Sequence, residues 1–379
     1  MIISNRPKSY KEVIELKTKR LMVLIGSVCL VLMLVVPLVA SCASPAPTPV
    51  EKRVMKFIYH EPADTWMSLN QWGWWSAKVN ELAEERGLPF EFKDYPGEII
   101  CKAPDMSEAV EAGTVEAGLI VGPYEAGRRP LETIVELPFT FRDYPSQNKL
   151  WHDALDAGLD EYFESFNLKV VCRMWTSPYG VWANTPIPSI DTLKGMKVRA
   201  PGGQMTAAVE KMGMVPVSMT VMETYTALQR GTLDGVSLME PSIISLKLDE
   251  VCTYGLRINY AASAGCLAVN LDVWNTLPKE FQDVCLEAGR LQEARNDDLH
   301  WNEMVNIAEN TAPARGIEIR NITPDEREIL VKLTRPQWDE WKEAYGDEFN
   351  GLGNKLYDIA MAKVAAEEGL PPTRWMLGM

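Results

Sequence analysis

The stretch Leu193-Lys194-Gly195-Met196-Lys197-Val198-Arg199-Ala200-Pro201-Gly202-Gly203 sets a short strand, Lys197 to Arg199, against a turn that permits close backbone approach. A helix predicted from about Gln204 to Met212 follows and points its free amides at that turn. A guanidinium at a strand end beside a helix amino terminus offers a two-pronged, charge-assisted contact together with backbone donors, which suits a carboxylate. Arg199 is therefore the candidate anchor for a small anion, with a structural salt bridge as the alternative role for the same side chain.

The same short-strand rhythm extends in both directions. Val54 to Tyr59 reads as a buried strand ending at His60-Glu61-Pro62. Trp75, Val79 and Leu82 then recur at helical spacing up to Gly87, and Phe90-Glu91-Phe92 alternates as a strand. Further strands are predicted at Ala117 to Val121, Lys169 to Cys172 and Val215 to Val217, separated by helical or turn-rich stretches. Such alternation predicts α/β lobes with mainly parallel sheets covered by helices. A long helix is expected from Pro278, with Phe281, Val284, Ala288 and Leu291 on its apolar face, reaching as far as Met304. Thr323-Pro324-Asp325-Glu326 is a capping box with proline at the first helical position. An amphipathic helix after Gly351 places Leu356, Ile359, Ala360 and Val364 on one face.

The chain has 379 residues, 46% of them hydrophobic, enough for two lobes of ordinary domain size. Its net charge is -14, and its first 20 residues carry six cations against two anions, which leaves -18 on the rest. That surface repels nucleic acid, whose binding depends on neutralising phosphates. Leu21 to Ala40 is an apolar run behind the basic start, closed by Val39-Ala40-Ser41-Cys42. Small residues before a cysteine resemble a bacterial lipoprotein signal, with Cys42 lipidated and residues 1–41 removed. An uncleaved signal anchor is the alternative, and both place the folded part outside the cytoplasm. Residues 42–52, rich in proline and small side chains, read as a tether.

Cys101, Cys172, Cys252, Cys266 and Cys285 show no metal-ligand spacing and are expected mostly as buried small hydrophobes, so neither a metal nor a cofactor is implied. His60, His152 and His300 lie far apart, and no nucleophile elbow, phosphate loop or dinucleotide fingerprint is present, so nothing points to catalysis. His60 ends the first strand, a place from which α/β proteins often address a ligand. Trp66, Tyr124 and Trp175 stand near predicted strand ends and are candidates for an apolar wall, with plain packing as their alternative.

The block LKGMKVRAPGG, followed by GMVPVSM and ETYTALQRGTLDG, resembles the signature of the solute-binding proteins of TRAP transporters, the DctP family. The likeness extends to Tyr95-Pro96-Gly97, to Glu136-Leu137-Pro138-Phe139 with Arg142-Asp143, and to the Thr323 helix. It implies an α/β, two-lobed periplasmic-binding fold, type II-like, with a long helix spanning both lobes and closing on an organic acid. The expected lobes are 53–177 with 265–305, and 178–264 with 306–379. The resemblance implies Arg199 as the carboxylate clamp, Pro201 and Gly202 as the adjoining ligand-facing turn, and Tyr225 near the ligand. Tyr179 stands where some members carry a second arginine. Leu238 and Glu240 fall in Val236-Ser237-Leu238-Met239-Glu240, where members often carry glutamate with asparagine or tryptophan. These departures point to a monocarboxylate or modest organic acid with an apolar portion. The implied partner is an ion-driven membrane permease, and some members of the family pair as homodimers. A ligand sensor or a secreted enzyme on the same fold are the alternatives.

Overall fold

The computed structural model describes residues 51–377 together with Glu15, Thr18, Lys19 and Met22. The apolar run, Cys42 and nearly all of the tether lie outside the described residues. None of the described helices is long and apolar enough to cross a membrane.

Two sheets organise residues 52–379. The first contains β1 (Arg53–Ile58), β2 (Phe90–Tyr95), β3 (Ala117–Val121), β4 (Leu168–Trp175) and β10 (Ala264–Asn270), in the order β2-β1-β3-β10-β4. The second contains β5 (Gly180–Ala183), β6 (Lys197–Ala200), β7 (Val215–Ser218), β8 (Gly235–Leu238), β9 (Tyr254–Arg257) and β11 (Glu318–Asn321), in the order β11-β9-β5-β8-β6-β7. Helical crossovers make β1 parallel to β2 and β6 parallel to β7, as the alternation predicts. Neither sheet is purely parallel, however. β10 runs antiparallel to both β3 and β4, and β5 antiparallel to both β8 and β9.

The physical reason lies in two of the passages the chain makes between the sheets. It leaves β4 through residues 176–179 to enter β5, and returns from β9 through residues 258–263 into β10. The two passages are hydrogen-bonded to each other: Tyr179 N donates to Ala261 O at 2.8 Å, and Asn259 N to Tyr179 O at 3.1 Å. A paired strap of this kind holds two lobes together while allowing a hinge, because few residues absorb the rotation.

Helix α1 (Gly73–Glu85) covers the first sheet through Trp75, Val79 and Leu82, and helix α2 (Gly203–Lys211) covers the second through Met205, Ala208 and Val209. Helix α3 (Lys279–Asn306) has 28 residues, about 42 Å at the α-helical rise. It packs on α1 and β4, then reaches the second lobe, where Arg257 Nη2 donates to Met304 O at 3.4 Å. Its buried face begins apolar with Phe281, Val284, Cys285 and Ala288 and becomes polar with Gln292, Asn296 and His300. Leu291, expected on that face, is 43% exposed, and Gln292 takes the inward position. At Gly289 the helix lies so close to β4 that a Cβ would come within 2.0 Å of Val171 O.

The carboxyl-terminal segment departs from its expected place in the second lobe. After β11, helix α4 (Pro324–Thr334) starts on the Thr323–Glu326 capping box, with Glu326 N donating to Thr323 Oγ1 at 3.2 Å. The chain then returns to the first lobe. Trp338 Nε1 donates to Pro138 O and Trp341 Nε1 to Thr133 Oγ1, and Leu352, Leu356 and Trp375 join a core with Trp151 and Phe163. An amphipathic helix shows that it must cover an apolar surface but not which one.

Candidate ligand site

Where the lobes meet beside the strap, the structure encloses a cavity with about 530 Å³ of space free of protein atoms, counted out to its mouth. Its apolar wall includes Leu119, Ile120 and Met174 from the first lobe and Val221, Leu238 and Met239 from the second. Arg199 is the one lysine or arginine among the described residues that line it.

Arg199 is the penultimate residue of β6 and is 1% exposed. Its Nε donates to Met219 O at 3.0 Å, Nη1 to Ser237 O at 3.4 Å and Nη2 to the Tyr124 hydroxyl at 3.2 Å. All three acceptors are uncharged oxygens, and among the described residues no carboxylate pairs with this guanidinium. Of its five N–H groups two remain, one on each Nη, the number a carboxylate takes in a two-pronged end-on contact. A buried cation without a counter-charge is costly, and an entering anion removes that cost.

Tyr124 ties the lobes together over this cation. It stands on the short helix Gly122–Glu125 of the first lobe, and its hydroxyl accepts from Arg199 Nη2 and from Val221 N, both at 3.2 Å and both in the second lobe. Beside it, Gly202 has φ 137°, and a Cβ there would lie 2.2 Å from Pro123 O of the first lobe. The structure is thus a closed state, with the turn after Arg199 pressed on the opposite lobe.

Around the cation, burial works against the charged form of His60, Glu61 and Tyr179. Burial lowers the His60 pKa to about 4, against the pull of Glu98 and with some help from Arg199, which leaves a neutral imidazole. Burial raises Glu61 to about 7, outweighing the Thr65 and Ser242 hydroxyls nearby. Burial likewise raises Tyr179, partly offset by Arg199, so its phenol stays protonated.

The Bacterial extracellular solute-binding protein, family 7 (DctP) model matches residues 67–344. The chain belongs to this family. The C4-dicarboxylate-binding periplasmic protein DctP of Rhodobacter capsulatus is 25% identical over 339 residues, covering 87% of this chain and 96% of that protein. The TRAP solute-binding protein of Rhodoferax ferrireducens, solved with copurified benzoate, superposes with a TM-score of 0.74 at 22% identity, over 83% of this chain and 98% of that one. DctP7 of Bordetella pertussis, an extracytoplasmic receptor binding pyroglutamic acid, gives 0.73 at 18% identity, over 82% and 99%. At those identities the structures establish the two-lobed fold.

In this DctP-family chain, six sequence candidates come together at the cavity: His60, Tyr124, Tyr179, Arg199, Pro201 and Leu238. The other candidates lie elsewhere. Gly202 faces Pro123 in the outer part of the cleft and makes lobe-to-lobe contact rather than lining the inner cavity. The Tyr225 hydroxyl donates to Glu250 at 2.7 Å on the second lobe's flank. Glu240 is held by the Arg257 guanidinium through both carboxylate oxygens. Trp66 packs edge-on to His300, and Trp175 is a core residue against Trp151. Aromatic side chains near strand ends serve core and cleft alike, and spacing does not separate the two.

The cavity also uses residues the sequence reading passed over: Glu61, Gln71, Trp72, Thr176, Ser242 and Ser263. Glu61 follows His60 at the same strand end and shares the position from which that end addresses a ligand. Gln71 and Trp72 precede α1 and are brought in only by its packing on the first sheet.

Proposed function

We propose that this protein captures a small organic acid between its lobes, with Arg199 holding the carboxylate, and hands it to an ion-driven TRAP permease without chemical change. The observation that carries this reading is a buried guanidinium in a cavity, bonded only to neutral oxygens. The names of relatives support the class: one binds C4-dicarboxylates, and solved neighbours hold benzoate, pyroglutamate and L-gulonate, all carboxylates. With one cation among the described lining residues and a largely apolar wall, a monocarboxylate with an apolar portion fits better than a highly charged acid. Attraction to Arg199 strengthens as closure excludes water. Lipid attachment at Cys42 would keep the protein at the outer face of the membrane, near the permease.

A thermal-shift screen of organic acids on the soluble chain from Pro45 tests the binding reading. A ligand of the native state raises the melting temperature of the wild type, and Arg199→Ala loses that response. Equal shifts in both would remove Arg199 from the role. Recovery of the acid unchanged after incubation separates carrier from enzyme, and transport by permease-bearing vesicles only when the loaded protein is added tests delivery.

A further inference from the structure

One wall of the cavity is polar in a way that Arg199 does not use. His60 and Glu61 follow β1, and Gln71 and Trp72 lead into α1, and all four are at least nine-tenths buried. His60 Nδ1, Glu61 Oε2, Gln71 Oε1 and Trp72 Nε1 each lack a hydrogen-bond partner among the described residues. The Thr65 and Ser242 hydroxyls approach Glu61 without bonding to Oε2. The Gln71 amide is oriented from behind, with Nε2 donating to Trp175 O at 3.1 Å and touching the His300 ring, which leaves Oε1 as the free end.

Ser242, which also lines the cavity, has an unpaired Oγ as well. Buried polar atoms in folded proteins are nearly always paired, so five orphans from residues lining one cavity mark a place where a guest completes the bonding. Their chemistry is mixed. An indole N–H only donates, while an amide oxygen and a carboxylate oxygen only accept. A purely hydrocarbon acid would leave all of them unsatisfied. A second carboxylate would meet Glu61 with no further cation at hand.

We propose that this wall selects an acid carrying, besides its carboxylate, a group that both donates and accepts hydrogen bonds, such as an alcohol, an amide or a lactam. Trp72 donates to the acceptor of that group, and Glu61 and Gln71 receive its hydrogen. The inference rests on the reading of Arg199 as carboxylate anchor and adds the second point of recognition, which decides between acids of one size.

Calorimetry with matched acids tests it: pyroglutamate against cyclopentanecarboxylate, 3-hydroxybutyrate against butyrate, and mandelate against phenylacetate. In at least one pair the polar member binds the wild type on the order of 100-fold more tightly, because a site built to hydrogen-bond a group rejects the analogue lacking it. Trp72→Phe and Glu61→Gln each shrink that ratio at least about tenfold, because each weakens the polar member more than its apolar match. Equal affinity within every pair that binds, or a ratio untouched by both variants, overturns the inference and leaves the anchor standing. Silence of all six acids contradicts the carboxylate reading itself, and this inference falls with it.

Discussion

Replacing Gly202 with alanine separates closure from folding. The new Cβ would sit 2.2 Å from Pro123 O, where ordinary contact begins at 3.4 Å, so the lobes must part by about 1.2 Å at that point. Tyr124 adjoins Pro123, and its two 3.2 Å bonds across the cleft, to Arg199 Nη2 and Val221 N, would stretch to about 4.4 Å, beyond hydrogen-bonding range. A neutral hydrogen bond contributes about 1 kcal/mol and one to a charged group about 1.5–3 kcal/mol, so the closed state loses at least about 2 kcal/mol. That corresponds to roughly 30-fold weaker binding at 1.4 kcal/mol per tenfold. The positive φ strains alanine in open and closed states alike, and so lowers the melting temperature of the unliganded protein without contributing to Kd. Calorimetry with the acid that most stabilises the wild type, read beside unliganded melting curves, distinguishes the two effects. A Kd within about threefold of the wild type would refute the argument that this turn seals the cleft.

Two further outcomes follow from packing and burial. Gly289→Ala forces α3 away from β4, since its Cβ would lie 2.0 Å from Val171 O, and should cost the fold on the order of 1–3 kcal/mol in denaturant titration, as overpacking does. The summed contribution of His60, His300, Glu61 and Glu132 to unliganded stability should be greatest between about pH 4.5 and 6.5. His60 and His300 are depressed by burial to about 4 and about 3, so their contribution is full above the unfolded value of 6.5 and is lost as pH falls through the folded values. Glu61 and Glu132 are raised by burial to about 7 and about 8, so theirs is full below 4.5 and lost as pH rises through those values. Glu132→Gln should flatten the alkaline limb of melting temperature against pH and leave the acid limb in place.

How far the molecule is legible in its sequence depends on the range of the contacts involved. Arg199 and its turn are legible because strand end, turn and helix start are consecutive residues whose geometry is local. The capping box at Thr323 and the start of α3 after Pro278 are local in the same sense. The antiparallel β5 and β10 are not, because each takes its direction from the passage between lobes rather than from its own pattern. Glu240 reads as a ligand contact until Arg257, 17 residues on, claims its carboxylate. Gln71 and Trp72 carry no signal of their own, since only the docking of α1 on the first sheet turns them toward the cavity. The return of Trp338 and Trp341 to the first lobe rests on contacts about 200 residues apart in the chain.

A crystal structure of the protein carrying the acid that copurifies with it would show whether Arg199 is the anchor. Both carboxylate oxygens should lie within about 3 Å of Arg199 nitrogens, in the space between Tyr124 and the strap. An acid lodged elsewhere, with Arg199 still bonded only to Met219, Ser237 and Tyr124, would contradict that role.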